Sequence, residues 1–355
     1  MTNSYQAVQW NHHKRLYDLC IVAFVVFFVT GFVVLGRVFF PPPGDISLPV
    51  LLIRALGICA VLMLHIILII GPLARISPRF SPLLYNRRHL GVSFFIVALM
   101  HAVLVIGFYG GFGTRNPITA VLLHESDTVP FELLGFLALV IFALMAATSH
   151  DFWLANLGPS FWKFVHMGVY VAYTLVIAHV VFGSLQSENN SIPLMLISLG
   201  ALIVGSLHIF TGWREVQFDH GVQHHALVRD DAATWVDVCS VDDIKPERAH
   251  ITQISSSERI AVFRNGNTVS AMTNVCPHQG GPLGEGKIVD GCVTCPWHGY
   301  QFKPDDGQSP PPFTEKIATY DIRVEGRRVL INPKPNEAGT RVPPASFEPW
   351  REGSV

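Results

Sequence analysis

Six long apolar runs, at about 16–38, 50–73, 90–110, 131–149, 162–184 and 192–211, decide what the first 211 residues of this chain can fold into. A helix that crosses the hydrocarbon core of a bilayer needs about 20 apolar residues, because no water is present there to satisfy the backbone. The chain is 50% hydrophobic and only 14% charged, and its apolar runs lie before Gly212. The sequence therefore predicts a multi-domain protein: a six-helix transmembrane bundle, then a small soluble domain. The first run is too long for a signal-peptide core and lacks an A-x-A-like site, so it reads as a true span. Gly71-Pro72, Ser77-Pro78 and Gly158-Pro159 supply helix breakers between spans.

These signals divide the chain into a tail at 1–15, the six-span domain at 16–214, a polar linker at 215–232, a soluble domain at 233–334, and a loose, Pro-, Gly- and charge-rich tail at 335–355. Lys14 and Arg15 precede span one, Arg75, Arg79, Arg87 and Arg88 lie between spans two and three, and Arg214 follows span six. The opposite side carries little beyond Arg37, Arg54 and Arg115. Basic loops stay inside, so both termini and the soluble domain are expected on the cytoplasmic face of an inner (plasma) membrane. A net charge of −1 leaves no basic surface for nucleic acid.

From Trp235 the pattern changes to short β-like runs, WVDVCSV, RIAVFRNG, TVSAMTNV, ATYDIRVEG and RVLINP, separated by turn residues. Of the six cysteines, two lie in apolar runs and two in a metal-ligand pattern, so no disulfide framework is expected. That pattern is two mixed hooks, Cys276-Pro-His278 and Cys295-Pro-Trp-His298. Zinc sites of the Cys2His2 type use the same ligand set but pair Cys with Cys and His with His. One thiolate and one imidazole per hook suits a [2Fe–2S] cluster with two thiolates on one iron and two imidazoles on the other. Gly280, Gly281 and Gly299 suit tight loops around cluster sulfurs, and Cys292 reads as packing rather than a fifth ligand.

The segments CPHQGGPL and VTCPWHGYQF resemble the Rieske ferredoxin and ring-hydroxylating dioxygenase type over residues 233–334. The resemblance implies one Rieske [2Fe–2S] cluster on Cys276, His278, Cys295 and His298. Respiratory Rieske proteins carry a disulfide between the loops and a serine after the second hook; here Gly281 and Trp297 take the disulfide positions and Tyr300 the serine position. With that hydroxyl lost, the expected potential falls near the low end of the range of about −150 to +300 mV.

Ionisable residues within spans are costly and mark function. Here they are His65, His101, His166 and His179, with His150 and His208 near span ends. Neutral imidazoles are natural haem ligands. His166 and His179 are separated by about 20 Å along span five but by about 140° around it, so they serve different depths and different flanks. Depth pairs His101 with His179 for an outer b-type haem. An inner haem would use His166 with His65, with His89 and His208 as rivals. One or two haems are expected. Arg54, Arg87 and Arg88 are candidate partners for haem propionates, although positive-inside bias also explains the last two.

The stretches GPLARISPRF, NRRHLGVSFFIVALMH and WKFVHMGVYVAYTLVIAH resemble the ferric-reductase-like transmembrane domain over about 16–211, and within it the haem-binding membrane subunit of bacterial methionine sulfoxide reductase systems. The resemblance matches His101, His166 and His179; His65 is outside its pattern. Members of this superfamily append a flavin and nicotinamide domain, which a Rieske domain replaces here. The combination implies a membrane oxidoreductase, or an electron-transfer subunit of one. A cytoplasmic ferredoxin or NAD(P)H-dependent reductase would be the donor, and a periplasmic protein, quinone, ferric iron or oxygen the acceptor. No Gly-rich dinucleotide fingerprint follows a strand, so NAD(P)H would act only through a partner. Quinone or flavin is a further cofactor candidate, with His150, Asp151 and Trp153 as an edge pocket for quinone. A Rieske oxygenase would need an iron site of two His and a carboxylate after the hooks, and no His follows His298. The FDHGVQHH segment at 218–225 reads as solvated linker. A non-catalytic redox-sensing or assembly subunit is the alternative of another class.

Overall fold

Each apolar run becomes one helix. The computed structural model describes residues 12–39, 46–80, 83–84, 86–110, 113, 116, 131–149, 153, 159–187, 192–220, 227–230, 233–255, 258–277, 280–296, 299–311 and 313–348. The helices are α1 (His12–Phe39), α2 (Leu48–Ile76), α3 (Arg87–Tyr109), α4 (Phe131–Ala147), α5 (Pro159–Ser187) and α6 (Ile192–His220). Five are long and apolar enough to cross a membrane, and α4 is a shorter apolar helix. The chain divides into two units between Phe210 and Thr211.

In the helical unit, α2 is the central element. In its most apolar window 56% of the residues are buried, against 6% for α1, which lies at the periphery. Leu56, Cys59, Met63, Leu64 and Leu68 form the spine of its packed face. Helix α2 packs chiefly on α3, and α4 on α5. Phe94 of α3 meets Phe142 of α4 edge to face at 4.8 Å between ring centroids, an arrangement the aromatic quadrupole favours. Phe27, Phe164 and Ile209 are exposed on the outside of the bundle, as lipid-facing side chains must be.

The second unit is a small β structure. One sheet runs β1 (Leu227–Asp230), β2 (Ala233–Ser240), β11 (Arg328–Ile331), β10 (Ile322–Glu325). A second runs β12 (Ala345–Ser346), β5 (Thr268–Thr273), β4 (Glu258–Asn265), β3 (Ala249–Ser255), with β9 (Thr319–Tyr320) also on β5. A third, β6 (Lys287–Val289), β7 (Cys292–Thr294) and β8 (Gln301–Phe302), is antiparallel throughout. Asp290 and Gly291 join β6 to β7 with φ of 51° and 74°; two positive φ values in a two-residue loop are what the right-handed twist of a hairpin selects.

Two boundary expectations are corrected. The linker expected at 215–232 is not one stretch of coil: α6 continues to His220, and residues 227–230 pair with β2. Nor is the tail loose from 335. Residues 345–346 pair with β5, Phe347 is buried, and its ring lies 5.1 Å from the Arg264 guanidinium carbon. One aromatic side chain with a pocket and a ladder to join outweighs the polar composition around it. Residues 349–355 lie outside the described part.

Gly286 shows how tightly the third sheet is closed. A Cβ there would stand 2.1 Å from the Thr294 carbonyl oxygen, a backbone atom that cannot swing away. Gly286→Ala is expected to cost about 1–3 kcal/mol, read as an earlier thermal transition of the β unit by far-ultraviolet circular dichroism.

Candidate functional site

The two cysteine hooks are copies of one loop, 19 residues apart. In the first, an isolated bridge joins Val275 to Pro282; in the second, β7 and β8 pair Thr294 with Gln301. Inside each, the cysteine N–H donates to the carbonyl five residues on, Cys276 to Gly281 at 2.8 Å and Cys295 to Tyr300 at 2.7 Å. The cysteine carbonyl in turn accepts from the glycine four residues on, Gly280 at 2.7 Å and Gly299 at 3.0 Å. Those glycines have φ of 73° and 71°, the left-handed region that side chains with a Cβ avoid. The sequence expectation of tight glycine loops therefore has a concrete form: each loop reverses on one left-handed glycine.

Both thiols are removed from water, Cys276 at 1% and Cys295 at 2% relative exposure, in a single apolar cluster with Leu283, Val293, Tyr300 and Phe302. The first loop is braced from behind by Asn274, whose side-chain oxygen accepts from the Gly284 N–H at 2.6 Å. Two desolvated thiols on matched loops fit the thiolate half of a [2Fe–2S] cluster. His278 and His298 lie outside the described residues, as does Trp297. Tyr300 packs between Phe302 and Phe313, at 5.6 and 4.8 Å between ring centroids. Cys292 opens β7 and is half-buried. Cys239, in the other sheet, is a buried thiol whose pKa burial pushes up to about 12, which leaves it protonated and inert.

In the helical unit the structure brings His101 and His179 together. Their ring centroids are 6.4 Å apart and their planes 80° apart. A metal held between two imidazole nitrogens at about 2.0–2.1 Å each separates the ring centres by about 6.3 Å, so the pair fits one bis-histidine iron. Each ring is tied by its other nitrogen. His101 Nδ1 is 2.9 Å from the Ile53 carbonyl oxygen on α2, and His179 Nδ1 is 2.8 Å from the Phe131 carbonyl oxygen on α4. With a carbonyl as acceptor Nδ1 must carry the proton, which leaves Nε2 as the free lone pair. Both anchors lie within the first two turns of their helices, at the end of the bundle opposite the Arg75–Arg88 loop.

The remaining candidates are placed differently. His65 is buried on α2, its ring 5.7 Å from that of Tyr173 and pressed on Gly200 of α6. His166 stacks on Trp162 at 3.7 Å, with Nδ1 3.0 Å from the Trp162 carbonyl. In both, Nε2 is buried and has no hydrogen-bond partner among the described residues. Tyr173 lies two helical turns from His166, so the contacts of the two histidines are at different depths of α5. His89 holds Asp18 of α1 at 3.0 Å, and His208 meets Tyr170 edge-on at 5.7 Å. Arg54 follows Ile53 and so stands at the level of the His101–His179 pair. Arg87 and Arg88 are about 20 Å from His101 along α3, Arg87 packing over Gly71 and both within electrostatic range of His166. Of the quinone-pocket expectation, His150 and Asp151 lie outside the described residues and Trp153 is exposed. The side chains of 218–225 are also outside them.

Sequence reading missed the groups that hold the two facing imidazoles: the carbonyls of Ile53 and Phe131, and the glycines beneath the rings, Gly57 and Gly135. A backbone carbonyl leaves no trace in composition. The trace lies instead in the spacing, since each histidine binds a carbonyl 48 residues earlier.

Comparison with known proteins finds two family models. Residues 234–321 match the Rieske [2Fe-2S] domain and residues 56–177 match the ferric reductase like transmembrane component. The ferredoxin component of the alkene monooxygenase system of Xanthobacter autotrophicus is 33% identical over 113 residues, covering 32% of this chain and 92% of that protein. The biphenyl dioxygenase ferredoxin subunit of a Pseudomonas species is 36% identical over 103 residues, 28% of this chain and 92% of its own length. Among solved structures, the ferredoxin of carbazole 1,9a-dioxygenase from Nocardioides aromaticivorans is 27% identical, covers 28% of this chain and 98% of its own, and has a TM-score of 0.27.

Proposed function

This chain belongs to the Rieske [2Fe-2S] family through residues 234–321, joined to a ferric reductase like transmembrane component through 56–177, and from that premise we propose that it passes electrons from a cytoplasmic donor towards an acceptor on the other side of the membrane. It is a multi-pass membrane electron-transfer oxidoreductase with a [2Fe–2S] cluster. The finer reading assigns the cluster to Cys276, His278, Cys295 and His298, and one b-type haem to His101 and His179. When bound, both groups supply one-electron chemistry.

The single observation that carries the haem reading is the pair of facing imidazoles, each locked by a carbonyl into the tautomer that presents Nε2. The chain's own residues do the rest. The buried hooks keep water from the thiol side of the cluster, and α2 and α4 hold the two imidazoles against rotation. Arg75, Arg79, Arg87 and Arg88, with Lys14 and Arg15, support an orientation in an inner membrane with both termini and the Rieske domain cytoplasmic. The anchors of His101 and His179 then fall in the outer half of the bundle, which supports transfer across the membrane rather than along one face. Ferredoxin relatives support a soluble reductase as donor; the acceptor class is open to a periplasmic protein, ferric iron, quinone or oxygen.

The test uses the full chain in sealed vesicles. Iron, acid-labile sulfide and pyridine-haemochrome assays set the stoichiometry. A ferredoxin-type reductant supplied on the Rieske side should reduce the haem, and membrane-impermeant ferricyanide on the other side should reoxidise it. A haem that stays oxidised while the cluster is reduced would sink the conduit and favour a sensing or assembly subunit. Reoxidation by a water-insoluble quinone but not by ferricyanide would make the protein quinone-linked.

A further inference from the structure

Resting on the reading of His101 and His179 as axial ligands, we propose that Gly57 and Gly135 are positioning residues of a duplicated haem-holding hairpin, which set the tautomer and ring plane of the two imidazoles through the carbonyls of Ile53 and Phe131.

The argument begins with helix geometry. In an α-helix the carbonyl of residue i points along the axis towards the N–H of residue i+4. A side chain from a neighbouring helix that shares this carbonyl must therefore lie over residue i+4. Any Cβ there stands in its way. Ile53 and Gly57 have this relation, as do Phe131 and Gly135. A Cβ built on Gly57 would be 3.1 Å from His101 Cε1 and 3.2 Å from Nδ1. One built on Gly135 would be 2.9 Å from His179 Nδ1 and 3.0 Å from Cε1. Neither glycine has a positive φ, so backbone freedom is not why glycine stands there. The space for the ring is.

The second observation is repetition. The triplet Ile53, Gly57, His101 recurs as Phe131, Gly135, His179, every member displaced by 78 positions, with the same 48-residue reach from carbonyl to histidine. The α2–α3 and α4–α5 hairpins thus carry one device twice, each supplying one imidazole to the same space. His65 on Gly200 shares the glycine but not the spacing, and stands outside the repeat. A carbonyl acceptor on the far nitrogen raises ligand basicity and fixes the ring, so the device governs the iron's potential as well as its retention.

The experiment compares Gly57→Ala and Gly135→Ala with Gly91→Ala, whose Cβ meets open space on the same helix as His101. The readouts are the ferric low-spin electron paramagnetic resonance envelope, the haem midpoint potential and haem retention on dilution. The cluster signal in the same molecules reports that the chain is intact. The unmodified protein, with imidazole planes 80° apart, is expected to show a highly anisotropic low-spin signal. Both glycine variants should change that envelope, raise the potential and weaken haem binding about 10- to 100-fold, with Gly135→Ala the stronger because its contact is closer. Gly91→Ala should match the parent. Independently of any variant, double resonance in ordinary and heavy water should find a hydrogen-bonded, exchangeable Nδ1 proton on both ligands. Unchanged envelope and potential in both glycine variants, or only one such proton, would overturn the inference. Retention of haem by His101→Ala and His179→Ala would instead overturn the axial assignment beneath it.

Discussion

His101→Ala and His179→Ala are each expected to abolish the low-spin haem signal while leaving the [2Fe–2S] signal at parental intensity. The two imidazoles are 6.4 Å apart with both Nδ1 atoms tied back, so no rotation of the survivor lets it supply the missing bond. Nothing local replaces either ring, since it fills space opened by a glycine on the facing helix. A five-coordinate remnant would be high-spin and lost on dilution. The proposed cluster ligands belong to the other unit, which has its own core, so independence of the two signals is expected. Absorption, pyridine-haemochrome stoichiometry and resonance spectra on one preparation measure both. A full haem complement in His179→Ala would refute the assignment. His89→Ala serves as the matched control, because that ring holds Asp18.

Cys276→Ser or Cys295→Ser should have the opposite pattern, with complete loss of the cluster signal, haem retained, and a soluble unit that melts earlier. A serine hydroxyl is a poor ligand for iron, and either change leaves the thiolate-bound iron with one thiolate instead of two. The stability consequence follows from position: both sulfurs sit in the apolar cluster with Leu283, Val293 and Phe302, so a hydroxyl there is a buried polar group without its ligand bond. Binding energy in small metal domains is folding energy, and among the described residues each hook loop closes on two backbone hydrogen bonds. Iron and acid-labile sulfide counts, with the thermal transition of the β unit, check both effects. Persistence of a Rieske-type signal in either variant would mean that the ligands lie elsewhere.

Much of the architecture was legible in residues alone, for reasons that can be named. Six helices were readable, five of them long and apolar enough to cross a membrane, because a bilayer enforces length and apolarity locally, one helix at a time. The strands WVDVCSV, RIAVFRNG and TVSAMTNV were readable because alternation and turn residues are also local, and they stand as β2, β4 and β5. The short strands β6, β7 and β8 were not, being two or three residues long and defined by their partners. The tail past 335 misled for a related reason: its polarity is an average, whereas its placement depends on Phe347 and on a free edge of β5. Among the in-membrane histidines, sequence depth paired His101 with His179, but rotation about the helix could not say what their far nitrogens touch.

By itself the sequence determined the chemistry of the ligands. Mixed Cys and His hooks specify a cluster because thiolate and imidazole differ in what they bind, and that difference resides in the side chain. Histidines in apolar spans raise the expectation of a buried cofactor because their desolvation is costly. Only the tertiary structure decided how each of the paired imidazoles is held. The deciding groups are two backbone carbonyls and the bare surface of two glycines; every residue has a carbonyl and glycine has no side chain, so their role exists only once α2 and α4 stand against the rings.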